Sequence, residues 1–570
     1  MAVNAKVKET FGLYLSKTAH IRDNFKKWFL FSFIVGVVIG LAVAGVHFVI
    51  YDIIWFHVRG FAGNGILWFV LPAFGILAAA VLVNKFSVNP WIHSTEEIIQ
   101  AYHEDNGRIK LASFPAKVAA SVLTIGFGGS AGMEGPSIYI GSSIASWLKR
   151  TFARSSFTDE DTRWMILAGG AAGIAAIFKA PLTGIVFGLE VPYKDDLAHN
   201  AFIPSLIASV TSYIVFVSMI GTAPLFKVPH VFALNNRDLL LSIILGIVCG
   251  LTARLFVFLF HWSGSFLKRV TGNFVQRAVL GSTVMGIVGV ASLTIFKAPF
   301  ALGSGYEAIN STLAGKIAAW QLLVLFLLKV VGTSATLAAG GVGGIFIPMI
   351  VMGATIGGAL GGLVSARGPL YPILGMAAFL GAGYSTPLAA ATFVAETTGS
   401  PGFIIPGLIA AAVSYTVSGR RSVSAHQRFH RQTVLHRIME RRVEEAMTSD
   451  VVTVPANISI EEFVHEYVLK YRHKSFPVVN DHNLYGMVGI CDIKRIPTCD
   501  WRVAQVGSVA VRDVVTAYPD QNLAEVSELM SRLDIDRLPV VNPAHPKKIV
   551  GVIASTDIVR LEELSELTEI

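Results

Sequence analysis

Between about residue 28 and residue 419 the chain runs as a succession of apolar stretches without charge, at 28–51, 66–84, 197–226, 278–296, 330–366 and 368–395. Each reaches the roughly 20 residues that an α-helix needs to cross a bilayer. From Arg420 onward charged residues return at the density of a water-soluble chain. The pattern predicts an all-α polytopic membrane domain over residues 28–433, preceded by a charged segment, 1–27, and followed by an α/β part that divides into 434–505 and 506–570. The first stretch is long, rich in β-branched residues and preceded by charge, which marks a retained span rather than a cleaved signal.

The membrane domain repeats itself. FKAPLTGIVFGLE, ending at Glu190, has a counterpart in YSTPLAAATFVAE, ending at Glu396; each carries Pro-Leu, small residues and an acid nine positions after the proline. GMEGPSIYIG, from Gly132, pairs likewise with GIFIPMIVMG, from Gly344. Duplicated halves of membrane transporters pack as inverted repeats around a site near the midplane. Glycine-rich interruptions at 128–135 and 340–344 predict broken helices, because irregular backbone at membrane depth is tolerated only within protein or beside a cavity. Close packing through small residues accounts for many of the 53 glycines, but not for the prolines and the acid at these breaks.

Composition agrees: 53% hydrophobic and 15% charged residues exclude an ordinary soluble domain for the whole chain. The net charge of +8 is concentrated beside the spans, in Lys6, Lys8, Lys17, Arg22, Lys26 and Lys27 before the first and Arg420, Arg421, Arg428 and Arg431 after the last. That placement predicts both termini on the cytoplasmic side of a lipid bilayer. No basic-aromatic pattern suits nucleic acid, and no such partner is expected. Cys249, Cys491 and Cys499 lack the spacing of a metal site or a disulfide framework. His426, His430 and His436 lack a cysteine or carboxylate to complete a ligand set, so a solvated helix is expected there. No nucleophile elbow or phosphate loop appears in context, and no enzyme is expected.

A helix that begins inside the membrane presents unpaired N–H groups and the positive end of its dipole to the cavity, which attracts an anion without a lysine or arginine. GMEGP and GGIFIP suit two such starts, and Glu134 in the first is a carboxylate costly enough at that depth to mark function. These residues resemble the CLC chloride channels and chloride/proton antiporters, whose GREGP and GxFxP signatures match residues 132–136 and 343–348, with FKAPLTGIVFGLE as a third shared stretch; the likeness covers about residues 20–430. It implies CLC-like inverted repeats, chloride as the bound ligand with no required cofactor, and a homodimer with a pathway in each subunit. It makes Glu134 the gating glutamate, occupying the outer anion position when ionised. Gly132, Met133, Gly135, Gly344, Ile345 and Phe346 would line the anion, with Ile345 and Phe346 donating N–H groups. Ser94 would offer its hydroxyl, although Ser94 followed by Glu97 reads equally as a capping box. Lys179 and Glu190 would lie in the cytoplasmic vestibule, where Lys179 either concentrates anions or snorkels to headgroups.

The chain also departs from the family pattern. The position of the inner proton acid holds Val191, which carries no proton, with Glu190 beside it as a hydrogen-bonded neighbour. The position of the pore tyrosine, within SVSAHQ, holds Ser424, or Val423 under an ungapped alignment, so a wider inner mouth and weaker anion discrimination are expected. Met133 replaces an arginine, and Glu96 and Glu97 would repel an anion that they faced. Val191 favours a channel-like path gated by Glu134; a chloride/proton antiporter with a non-standard proton path is the alternative. A membrane sensor with a signalling tail is a third reading, which leaves the broken helices and Glu134 unexplained.

The tail is duplicated too. DVVTVPANISIEEF recurs as DVVTAYPDQNLAEV, FPVVN as LPVVN, and GMVGICDIKR as GVIASTDIVR. Units of this length leave one sheet face uncovered and gain by packing as a pair. They resemble tandem CBS domains, which implies a regulatory module with an adenine nucleotide in its cleft. Asp492 and Asp557 then fall at the ribose-contacting aspartate, and each reads equally as a helix N-cap. The hydroxyl residue usual before that aspartate is replaced by Gly489 and Ala554.

Overall fold

The computed structural model describes residues 27–63, 65–152, 157–226, 228, 236–364, 368–419, 421–430, 438–481 and 483–568. Lys6, Lys8, Lys17, Arg22, Lys26, Arg420, Arg431 and His436 lie outside them. The chain forms two compact units, Met1–Arg431 and Gln432–Ile570.

The first unit is helical: α1 (Lys27–Phe61), α2 (Leu67–Phe86), α3 (Ser94–His103), α4 (Phe114–Gly126), α5 (Glu134–Phe152), α6 (Asp159–Phe178), α7 (Pro181–Glu190), α8 (Phe202–Ile220), α9 (Asn236–Val270), α10 (Phe274–Phe296), α11 (Tyr306–Leu313), α12 (Ala319–Ala338), α13 (Phe346–Leu363), α14 (Leu370–Tyr384), α15 (Pro387–Thr398) and α16 (Ile404–Ser418). Among the described residues eight helices are long and apolar enough to cross a membrane. The stretches at 330–366 and 368–395 are not single spans. The first is interrupted between Ala338 and Phe346, and the second turns at Ser385, φ 57°, before Pro387 opens α15. The uncharged-run pattern passes over α9, because Arg254 sits inside it. Burial separates the roles of the spans: 78% of the most apolar window of α13 is buried in protein against 39% for α2. The former is an inner element and the latter presents a face to lipid.

The duplication is visible atom by atom around the two helix breaks. Gly128 and Gly340 take φ of 98° and 96°, a conformation that glycine alone adopts without strain. The Ser130 N–H donates to Thr336 Oγ1 (3.1 Å), and the Val342 N–H to Thr124 Oγ1 (3.0 Å). Gly132 and Gly344 exchange both backbone hydrogen bonds, at 2.9 and 2.7 Å. The halves run in opposite directions. Glu190, ending α7, accepts from the N–H groups of Leu388 and Ala389 at the start of α15 (3.1 and 2.8 Å). Glu396, near the end of α15, accepts from Leu182 and Thr183 at the start of α7 (2.9 and 2.7 Å). Each carboxylate thus satisfies orphan donors at the positive end of the partner helix.

In the second unit β1 (Val454–Pro455) pairs parallel with β2 (Ser475–Asn480), which pairs antiparallel with β3 (Asn483–Gly489). β4 (Arg537–Asn542) and β5 (His545–Ala554) form a second antiparallel pair, and the parallel bridge of Ala517 to Val540 takes the place of β1. Phe476, Val478 and Val488 in one half and Leu538, Val540 and Ile553 in the other are buried, as strands with one covered face require. α17 (Ile490–Ile493) and α18 (Ser555–Thr568) follow the last strand of each half. Asp492 and Asp557 are not N-caps. Each is the third helical residue and accepts a hydrogen bond from the residue before its helix, Gly489 (2.8 Å) and Ala554 (2.9 Å).

Candidate anion pathway

The crossing of the two broken helices is built by glycine. Gly135 lies so near Gly344 that a methyl on it would meet the Gly344 Cα at 2.9 Å. Over this crossing lies the Glu134 side chain. Glu134 opens α5, is fully buried, and its Oε1 accepts from the Ile347 N–H in the first turn of α13 (3.2 Å), with the Phe346 N–H also directed at the carboxylate. Its Oε2 has no hydrogen-bond partner. The carboxylate therefore occupies the spot where the N–H groups and dipole of α13 favour negative charge. Gly132 and Gly344 flank it, and Met133 is buried beneath with its carbonyl bonded to the Ser137 N–H.

Toward the end at which the chain leaves for the tail, a cavity of about 10 Å³ lies against Ile345, Tyr384, Thr95, His93, Glu96 and Ser424. That is room for about one water molecule. The structure corrects two expectations here, the capping box and the wide inner mouth. Ser94 and Glu97 form no capping box: His93 is the N-cap, with no side-chain bond, and the Glu97 carboxylate pairs instead with buried Lys117. The Ser94 hydroxyl is buried without a partner, and Thr95 rather than Ser94 borders the cavity. The inner mouth is not wide, because Tyr384, ending α14, brings a phenol to the Thr95 hydroxyl and the Ile345 N–H. Ser424 donates its own hydroxyl to Glu96. Tyr384 was legible as the first residue of the second Pro-Leu motif, but its direction depends on the left-handed turn at Ser385.

Val191 caps α7 and lines a separate apolar cavity with Phe187, Ile98 and Thr95; its carbonyl accepts from Gln427 Nε2 (2.8 Å), which also donates to the Tyr384 carbonyl (2.9 Å). Glu190 braces α15 as described. Lys179 is not in the tail-side vestibule. Its Nζ donates to the Ala223 carbonyl (3.2 Å), and the neighbouring Phe226 N–H bonds to Thr397 at the end of α15, which α16 separates from the tail. The sequence places Lys179 after α6 but carries no direction of travel through the membrane.

On that far side a cavity of about 180 Å³ is bordered by Tyr51, Ser304 and Tyr306, with the Arg59–Glu307 ion pair at its rim. Lys329, a residue that hydropathy passes over, lies fully buried, donating to the carbonyls of Gly303 (2.9 Å), which borders this cavity, and Ala301 (3.3 Å), and it interacts electrostatically with Glu134. His426 contacts Glu96, His430 is exposed, and among the described residues no three His, Cys, Asp or Glu side chains gather to hold a metal.

A multi-pass membrane bundle with two oppositely directed halves, each broken at its centre around one carboxylate, is the architecture of a transporter. The chain belongs to the voltage-gated chloride channel family, which it matches over residues 74–419, and it carries two CBS domains, at 443–497 and 506–563. It is similar to the H(+)/Cl(-) exchange transporter ClcA of Citrobacter koseri, 30% identical over 353 residues that cover 60% of this chain and 73% of that one. It is also similar to the ClcA exchange transporter of Salmonella typhimurium, 29% identical with 60% and 74% covered. The crystal structure of a CLC-type fluoride/proton antiporter shares the fold with a TM-score of 0.62 at 24% identity, covering 71% of this chain and 98% of that one. That of a eukaryotic CLC transporter does so with a TM-score of 0.60 at 19% identity, over 93% and 97%.

Proposed function

We propose that the chain is a chloride/proton exchanger in which Glu134 is both the gate and the proton-accepting group. The observation that carries the proposal is the Glu134 carboxylate lying on the N–H groups that open α13, where an anion would otherwise sit. An ionised carboxylate competes with chloride for those donors, and a protonated one does not, so proton binding and anion binding at the centre are linked. Support for exchange over the channel-like path first expected from Val191 comes from the relatives, which are named as exchangers. The tail is proposed as a regulatory module that takes an adenine nucleotide.

The test is flux from liposomes holding the purified chain, with chloride equal on both sides and a proton gradient imposed. Exchange predicts chloride movement driven by the proton gradient and a shifted reversal potential. A reversal potential that ignores the gradient refutes it.

A further inference from the structure

We propose that Glu96 is the tail-side proton-carrying residue, loading and unloading Glu134 from the side on which Val191 offers no titratable group; this rests on the exchange reading. Glu96 stands in the first turn of α3, one residue beyond Thr95, which borders both the cavity beneath Glu134 and the apolar cavity of Val191. Its carboxyl is at the rim: the side chain keeps 13% of its surface open to solvent while lining the central cavity. It is the carboxylate that reaches both water and that cavity among the described residues lining it.

Its surroundings suit a group that changes charge. As a carboxylate it accepts from the N–H groups of Ala425 and His426, each at 2.8 Å, from the Ser424 hydroxyl and from His426 Nδ1. As an acid it keeps partners, since a hydroxyl both donates and accepts and a neutral imidazole nitrogen accepts. The charged and titratable groups around it are His426 on the segment after α16, Lys194 on the turn after α7, His93 at the start of its own helix and Tyr384 at the end of α14. Tyr384 borders the same cavity as Glu96, with Thr95 beside it, and interacts electrostatically with both Glu96 and Glu134.

The transfer changes only O–H bonds. A hydronium ion of the tail-side water gives a proton to the Glu96 carboxylate and is left as water. The resulting acid releases it across the cavity, through the Tyr384 and Thr95 hydroxyls and one water, to the Glu134 carboxylate; Glu96 returns to its charged form and Glu134 becomes neutral. His93 lines the same cavity and is the rival carrier, which the experiment separates from Glu96.

The experiment records chloride and proton fluxes together from liposomes containing the full chain, its Glu96→Gln and His93→Gln variants. The expected result is a ratio of proton to chloride flux at least tenfold lower in Glu96→Gln and close to the parent's in His93→Gln. A parent-like ratio in Glu96→Gln, or a loss confined to His93→Gln, overturns the proposal. If Glu96→Gln loses both fluxes, Glu96→Asp decides: recovery of coupled flux supports proton carriage, and any other pattern assigns Glu96 a bracing role and overturns it. A parent that moves no protons refutes exchange itself, which is a different outcome from a coupled parent with a coupled Glu96→Gln.

Discussion

Gly132→Ala should open the gate without touching the glutamate. A methyl at Gly132 would stand 1.9 Å from Glu134 Oε2, 2.6 Å from its carboxyl carbon and 2.7 Å from Oε1. Carbon and its neighbours rest at about 3.5–4.0 Å, so the carboxylate must retreat by well over an ångström. All three contacts belong to one flexible side chain, and Gly132 is not among the residues with positive φ, so the backbone accepts alanine. Retreat breaks the hydrogen bond to the Ile347 N–H, and such bonds to charged groups contribute about 1.5–3 kcal/mol. The occupied state of the gate should therefore fall about 10- to 150-fold. The assay is isotopic chloride release from liposomes at neutral and at acidic pH. Gly132→Ala should release chloride at neutral pH as Glu134→Ala does, with a flattened pH response, and adding Glu134→Ala to it should change little more, because both act on one contact. Gly344→Ala is the contrast: its methyl would also press on the Gly135 N–H at 2.6 Å, so it should lower thermal stability as well. A Gly132→Ala protein with the parent's pH response would refute the steric account of the gate.

Two further outcomes follow from the same geometry. Glu190→Gln and Glu396→Gln each replace a carboxylate that accepts from two backbone N–H groups by an amide, so each should cost roughly 1.5–3 kcal/mol of stability and both should lower the melting temperature; a loss in only one would contradict the reciprocal bracing of α7 and α15. ATP titrated calorimetrically into the full chain should bind, and Asp557→Ala should weaken it; absence of binding heat to a folded tail refutes nucleotide control.

The membrane unit, the duplication and the place of Glu134 were legible because each rests on local pattern: runs of apolar residues, repeated Pro-Leu phrases, and glycines where helices break. The residues misplaced were those whose role depends on direction. Lys179 could be assigned to either end of the path until α7 and α15 were seen to brace each other head to tail. Ser94 followed by Glu97 matched a capping box, but the sequence could not show that Lys117, a turn of chain away in another helix, takes the Glu97 carboxylate. The segment after α16 lacks a tyrosine at the family position, and a tyrosine from α14, Tyr384, borders that space instead.

What gives the pathway its polarity is the departure of one half from the other. Lys117 and Lys329 occupy corresponding positions, each buried and each reaching a carbonyl before a short helix, Ile92 before α3 and Gly303 before α11. On the tail side the charge of Lys117 is matched by Glu97 beside it. On the far side no carboxylate contacts Lys329 among the described residues, and the acid that acts on it electrostatically is Glu134. Among the described residues, the buried Lys329 thus lacks beside it the carboxylate that accompanies Lys117.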